Sequence, residues 1–246
     1  MEITKREIAF SLIILFVLCA VGFVIHDKIF DSMAVENEQY YKAVKIMDDP
    51  DLFNYILETQ AGDILAHGIF KAVTPVTDAE VKGEYMYLEK VHERYTMHTR
   101  TVTTTVNGKT STRVETYWTW DYVGSEDKGT EYFEFLSNHI WFDKSKFPKV
   151  QLRADDLAVD SSDGYISDGY HKRHYFNAVK DKGTGSLFTD GNLENYTLYH
   201  DQTPEEIIKE KEDSQNRFHL VFWIGAVAII AVVIGLFCYA ENRWLE

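Results

Sequence analysis

The chain has 246 residues, 45% of them hydrophobic and 26% charged, with 25 Lys+Arg against 39 Asp+Glu and a formal net charge of −14. That acidity excludes a nucleic-acid partner and docking on an anionic lipid surface, because both demand a basic face. Its two cysteines, Cys19 and Cys238, lie in apolar runs, so the polar part has no disulfides, as suits a bacterial envelope protein better than an animal secretory domain.

Residues 8–25 form an apolar run whose only polar member is Ser11, and residues 220–240 form a second with no charge. At about 1.5 Å per residue each crosses a hydrocarbon core of about 30 Å. Two transmembrane helices are therefore expected, with a central domain on one side of one bilayer. Lys5 and Arg6 also fit a signal peptide cleaved at Ala20-Val21-Gly22, but Phe23, Val24 and Ile25 prolong the run and favour an anchor. Lys5, Arg6 and Arg243 put both termini, residues 1–7 and 241–246, in the cytoplasm and the central domain outside the cell membrane. Lys28, Lys209, Lys211 and Arg217 pull the other way; an internal membrane with a lumenal domain is the alternative.

Residues 26–60 read as a helical stalk followed by a second helix. Phe30, Met33, Tyr40 or Tyr41, Val44 and Met47 recur at helical steps, and Asp49-Pro50 restarts a helix that Ala61-Gly62 stops. Residues 61–202 read as a β-rich domain. Its clearest element is a hairpin at Asn107-Gly108, the dipeptide suited to a type I′ turn. That turn sets Arg94 opposite Asp121, Arg100 opposite Glu115, Thr96 opposite Thr119 and Thr99 opposite Thr116. Tyr95 then faces Trp120 and Met97 faces Trp118, on the side away from two expected ion pairs.

Nearer the turn the hairpin is polar on both faces, with Thr101, Thr103, Thr104, Thr105, Thr110, Ser111 and Thr112. It is either a solvated finger or an edge that pairs with another subunit or partner. Lys109 and Arg113 serve there as gatekeepers or as contacts to an acidic partner.

Residues 155–190 carry two near-copies, Ser162-Asp163-Gly164-Tyr165 and Ser167-Asp168-Gly169-Tyr170, which read first as turns. Asp160, Asp163 and Asp168 do not match an EF-hand, and His171 and His174 lack a spaced third ligand, so neither metal nor cofactor is expected. No nucleophile elbow or phosphate loop is present, and no enzymatic activity is expected. Residues 203–219 open with Thr203-Pro204-Glu205-Glu206, a capping box with proline at the first helical position, and form a stalk into the second span. In the spans, Ser11, Cys19 and Gly22 share one face, and Ala228, Ala231 and Gly235 another; such small-residue faces serve contact within or between chains.

Gly62-Asp63-Ile64-Leu65, the strand opening Gly83-Glu84-Tyr85, Tyr117-Trp118-Thr119-Trp120-Asp121 and Phe142-Asp143-Lys144-Ser145-Lys146-Phe147-Pro148 resemble the extramembrane domain of the LUMA (transmembrane protein 43) family. The order matches over roughly residues 61–148, and residues 183–236 are similar too. The resemblance implies a helix-flanked β domain in a membrane scaffold, with no catalytic residues to carry over. LUMA proteins have several spans after the domain, where one is expected here. That two-span layout looks distantly similar to the β-rich loop of the mitochondrial membrane-anchored ubiquitin ligase. The ligase's zinc RING follows its second span; residues 241–246 hold no Cys or His, so no ligase activity is expected.

The expectation is an α+β protein with two terminal transmembrane helices flanking an antiparallel β-rich domain. It acts as a non-enzymatic scaffold or sensor, assembling with itself or another membrane protein through Thr101, Thr103, Thr105, Lys109, Thr110 and Thr112 and through Ala228, Ala231 and Gly235. An envelope receptor or metal-dependent hydrolase using residues 160–174 is the rival reading.

Overall fold

The structure is a computed structural model and describes residues 5–244. Residues 1–4 of the expected N-terminal segment and 245–246 of the expected tail lie outside the described residues. In chain order the elements are α1 (Lys5–Lys42), β1 (Val44–Met47), α2 (Pro50–Thr59), β2 (Ile64–Ala72), β3 (Tyr85–Val106) and β4 (Lys109–Gly129). There follow β5 (Tyr132–Phe135), β6 (Asn138–Trp141), β7 (Val150–Gln151), β8 (Ile166–Ser167), β9 (Lys172–Lys180), β10 (Lys182–Thr189), β11 (Tyr196–His200) and α3 (Pro204–Trp244). The fold is α+β, in two compact units: α1 with α3, and Lys45–Gln202.

Both α1 and α3 are long and apolar enough to cross a membrane. Thr203 caps α3 as expected: its N–H donates to Glu206 Oε2 at 2.8 Å, and Glu206 N–H returns to Thr203 Oγ1 at 3.4 Å. The helices run antiparallel, with Arg6 bonded to Glu241 at one end and Lys211 Nζ 4.6 Å above the Tyr40 ring at the other. Between these ends Phe10 meets Phe237, Phe23 meets Trp223, and His26 Nε2 lies 3.0 Å from His219 Nδ1. Ser11, Cys19 and Gly22 are half-buried on the contact stripe of α1, and Ser11 Oγ lies 3.8 Å from Cys238 Sγ. Ala228, Ala231 and Gly235 are exposed. Their stripe is left open rather than used between the two helices.

Within residues 26–60, read as a helical stalk followed by a second helix, the stalk's expected reach to Val44 and Met47 is corrected. Helix α1 ends at Lys42, and Val44 and Met47 belong to β1, which pairs with β2. Helical spacing misled because a four-residue strand at a sheet edge shows one buried residue, Ile46, and too short a run for its period to register. Asp49 does cap α2, accepting from Leu52 N–H at 3.0 Å with Pro50 in the first turn. The left-handed stop is Gln60 at φ 51°, ahead of the expected Ala61-Gly62. The β-rich unit thus begins at Lys45, not at residue 61.

One sheet has the order β11-β10-β2-β5-β6, with β1 beside β2, and all the pairings with stated register are antiparallel. Ile64, Leu65 and Ala66 are completely buried in succession, so the start of β2 is covered on both faces, while Ile69 and Lys71 further along are exposed. Phe53 of α2 meets Phe135 edge-on with ring centroids 5.9 Å apart. Phe70, Phe133, Phe142, Phe147, Tyr196 and His200 form a chain of ring contacts. The second sheet has the order β4-β3-β9-β7, with β8 beside β9. Its core is Val81, Tyr85, Leu88, Leu152, Leu157, Ile166, Phe176 and Ala178.

Candidate functional site

Two features of the second sheet carry chemistry: a ribbon that outruns its neighbours, and a histidine cluster at the end of its core. Asn107 at φ 51° and Gly108 at φ 76° form the turn, and the pairing is the one that turn predicts: Arg94 with Asp121, Tyr95 with Trp120, Met97 with Trp118, Arg100 with Glu115. Strand β9 accompanies β3 only from Tyr85 to Arg94. Beyond it, about 12 residues per strand continue as a two-stranded ribbon, roughly 40 Å at about 3.4 Å per residue. Among the described residues no strand pairs with the outer edge of β4 or with β3 from Thr96 onward.

Of the two expected ion pairs, one forms. Arg100 Nη2 lies 2.9 Å from Glu115 Oε2, and Arg113 adds a contact to Glu115 at 2.5 Å; together they hold the Glu115 carboxyl below its usual range. Arg94 stands opposite Asp121, but that carboxylate is taken by others. Thr119 Oγ1 donates to it at 2.8 Å, His98 Nε2 lies 2.6 Å away and Thr96 donates as well. The Thr119 hydroxyl first, then His98, hold Asp121 low. A short threonine on the same face reaches the carboxylate with less side-chain ordering than a long arginine.

On the other face Tyr95 lies between Trp118 and Trp120, and His171 packs edge-on against Tyr95 and Trp118, each at 5.4 Å. Arg173 stacks its guanidinium 4.1 Å from the Trp120 ring and 3.7 Å from that of Tyr165. Toward the tip, Thr103 meets Thr112 at 3.4 Å and Thr105 meets Thr110 at 3.2 Å, while Thr101 and Lys109 are exposed. Met97, Val114, Tyr117, Trp118 and Tyr122 are exposed large apolar residues along the ribbon.

The histidine cluster forms where β3, β8 and β9 meet. His92 and His174 are direct cross-strand partners. Asp168 closes the turn between β8 and β9, its N–H donating to Lys172 O at 3.0 Å, and so shares a face with His174. His174 is 1% exposed, its Nδ1 2.7 Å from Asp168 Oδ1 and its Nε2 3.1 Å from Glu80 Oε2. Lys90 Nζ completes that side, 2.7 Å from the same Glu80 oxygen. His92 Nδ1 lies 4.0 Å from Asp168 Oδ2, both side chains about one-third exposed. The β3–β4 register shifts between His92 and Glu93, the irregularity that re-aims side chains beside sites.

Of the loop residues singled out by sequence, Asp168 and His174 enter this cluster. Asp160 and Asp163 are exposed elsewhere, Asp163 forming a tight turn with Gly164, and His171 belongs to the aromatic face. A helical i,i+3 spacing made His171 and His174 look like partners; in a strand that spacing puts them on opposite faces. His92 was missed because pairing of β3 with β9, distant in sequence, is what brings it in, and Glu80 because the β2–β3 connection is held there by Val81 bridging Leu157 and by Ala158 N–H donating to the Glu80 carbonyl at 2.9 Å. A shallow cleft lined by Tyr87, Trp141, Lys144, Lys146 and Tyr196 is less informative, since Lys144 is taken by Asp127 at 2.6 Å and Lys146 by the Tyr196 carbonyl at 2.7 Å. The chain matches no protein-family model, no curated protein and no solved structure.

Proposed function

We propose that this protein is a non-enzymatic two-span membrane scaffold that assembles with a second copy of itself through the β3–β4 ribbon. The domain lies outside the cell membrane and both termini lie in the cytoplasm. The observation that carries the reading is the ribbon itself: two strands extending beyond β9, with no strand among the described residues paired to the outer edge of β4 or to β3 from Thr96 onward, and with large apolar side chains exposed. Unpaired edges recruit strands, and exposed apolar patches mark contact surfaces.

A second copy fits the charge pattern of β4. Its tip carries Lys109 and Arg113, and its base Asp121, Glu126 and Asp127 against the single cation Lys128. Antiparallel pairing of β4 with another β4 sets the basic tip of each against the acidic base of the other, an isologous contact. The open stripe of Ala228, Ala231 and Gly235 lets helices approach closely in the same assembly. The reading accords with the scaffold role that the LUMA-like resemblance implies.

The test uses backbone donors. In a two-residue hairpin the pair flanking the turn is hydrogen-bonded and pairs alternate from there, so Thr112 directs its N–H outward. Thr112→Pro therefore removes an edge donor without breaking the β3–β4 ladder. The native mass of the full chain in mild detergent is expected to be that of a multimer, falling to a single chain in Thr112→Pro with unchanged circular dichroism. A wild type that is already a single chain, or a variant that still assembles, overturns the proposal.

A further inference from the structure

His174 is nearly completely buried, and each of its ring nitrogens faces a carboxylate oxygen. A neutral imidazole carries one N–H, so it can donate to only one of the two carboxylates, and its other nitrogen offers a lone pair beside an acid, the arrangement of a cation site. Three observations favour a metal. His92, Asp168 and His174 bring one ligand atom each to within 4.8 Å of one another, an assortment of two imidazoles and one carboxylate. Asp168 turns Oδ1 to His174 Nδ1 at 2.7 Å and Oδ2 to His92 Nδ1 at 4.0 Å, so its carboxylate stands between the two imidazoles at separations on either side of the roughly 3.3 Å expected between ligands of a tetrahedral ion. Finally, Glu80 accepts from His174 Nε2 and is anchored by Lys90, the carboxylate–histidine relay that turns the other nitrogen toward a metal.

We propose that His92, Asp168 and His174 bind one divalent transition-metal ion of the zinc class, with Glu80 as the positioning residue for His174. The rear wall is buried His174 above Phe176, whose ring lies 5.7 Å away, and the rim is the half-exposed pair His92 and Asp168. Three protein ligands leave a fourth position that opens to solvent and takes water or an anion. The ion would clamp β3, β9 and the β8–β9 turn together at the root of the ribbon.

The full chain, purified in mild detergent without a histidine tag and stripped with chelator, is dialysed against micromolar zinc, and bound metal is counted by elemental analysis. One zinc per chain is expected. His92→Ala and Asp168→Asn lose it; Asp168 lies in an exposed turn and its amide is nearly isosteric, so that variant keeps the fold if His92→Ala does not. Glu80→Gln binds about 10–100-fold more weakly, with an altered cobalt(II) visible spectrum that a purely structural role would not produce. His171→Ala and His219→Ala bind like wild type. Absence of stoichiometric zinc in the wild type, or full retention in both His92→Ala and Asp168→Asn, overturns the site.

Discussion

The Tyr196 hydroxyl donates to the Trp141 carbonyl at 3.0 Å and accepts from Asp143 N–H at 3.4 Å, and burial pushes its pKa up to about 12. The folded chain holds this proton more tightly than the unfolded one, which releases it near 10. Its contribution to stability is therefore whole below pH 10 and is lost as pH rises from there through 12. Thermal unfolding followed by circular dichroism should show a midpoint falling across that window, with a shallower fall in Tyr196→Phe. An identical slope in the two proteins would remove Tyr196 as its source. His200 shapes the acid side: burial among aromatic rings lowers its pKa despite its contact to the Lys146 carbonyl at 3.2 Å. The neutral ring is favoured on folding, so this stabilisation is present above about 6.5 and fades as pH falls below it. None of this residue chemistry was legible in the sequence. Tyr196 carried no signal in the sequence, and the histidines had no visible neighbours until strands distant in the chain were paired.

At the level of elements, the hairpin was legible because a two-residue turn propagates one register along its whole length, and the side-chain pairs check it at every step. Where local chemistry had several outlets, as at Asp121, the same register named the neighbour but not the partner. Helix starts were legible too, since Asp49-Pro50 and Thr203-Pro204 satisfy specific orphan N–H groups. Strand β1 was not, because its identity comes from β2 beside it. Close backbone approach offers a similar non-local demand in β10. A Cβ on Gly185 would meet the Tyr199 carbonyl oxygen of β11 at 2.4 Å, and backbone of a paired strand cannot swing aside as a side chain can. Gly185→Ala is expected to cost about 1–3 kcal/mol in urea unfolding. Gly124→Ala on β4 meets nothing within 4 Å and should change stability by less than about 0.5 kcal/mol. Equal costs at the two positions would show that the β10–β11 approach is not what selects glycine.

For the whole molecule, the two apolar helices constrain sidedness more than charge does. Helix α1 has 38 residues and α3 has 41, so at about 1.5 Å per residue each is near 60 Å long, about twice the hydrocarbon thickness. Their antiparallel contact joins Arg6 to Glu241 at the end that carries both chain termini. If the pair crosses one bilayer, both termini emerge on one face and everything between the spans on the other. The proposed cytoplasmic placement of the termini rests on Lys5, Arg6 and Arg243 alone. The ribbon supplies the reporter, because Thr103 is exposed while Cys19 and Cys238, the native thiols, are half-buried in the apolar runs. Thr103→Cys should react with a membrane-impermeant maleimide in intact cells, with labelling undiminished relative to permeabilised cells, while the unmodified chain stays unlabelled. Reaction only after permeabilisation would place the domain in the cytoplasm or in an internal lumen. The proposed edge-pairing of β4 would then have to be sought within that compartment, while the antiparallel helix pair and the ribbon register would stand unchanged.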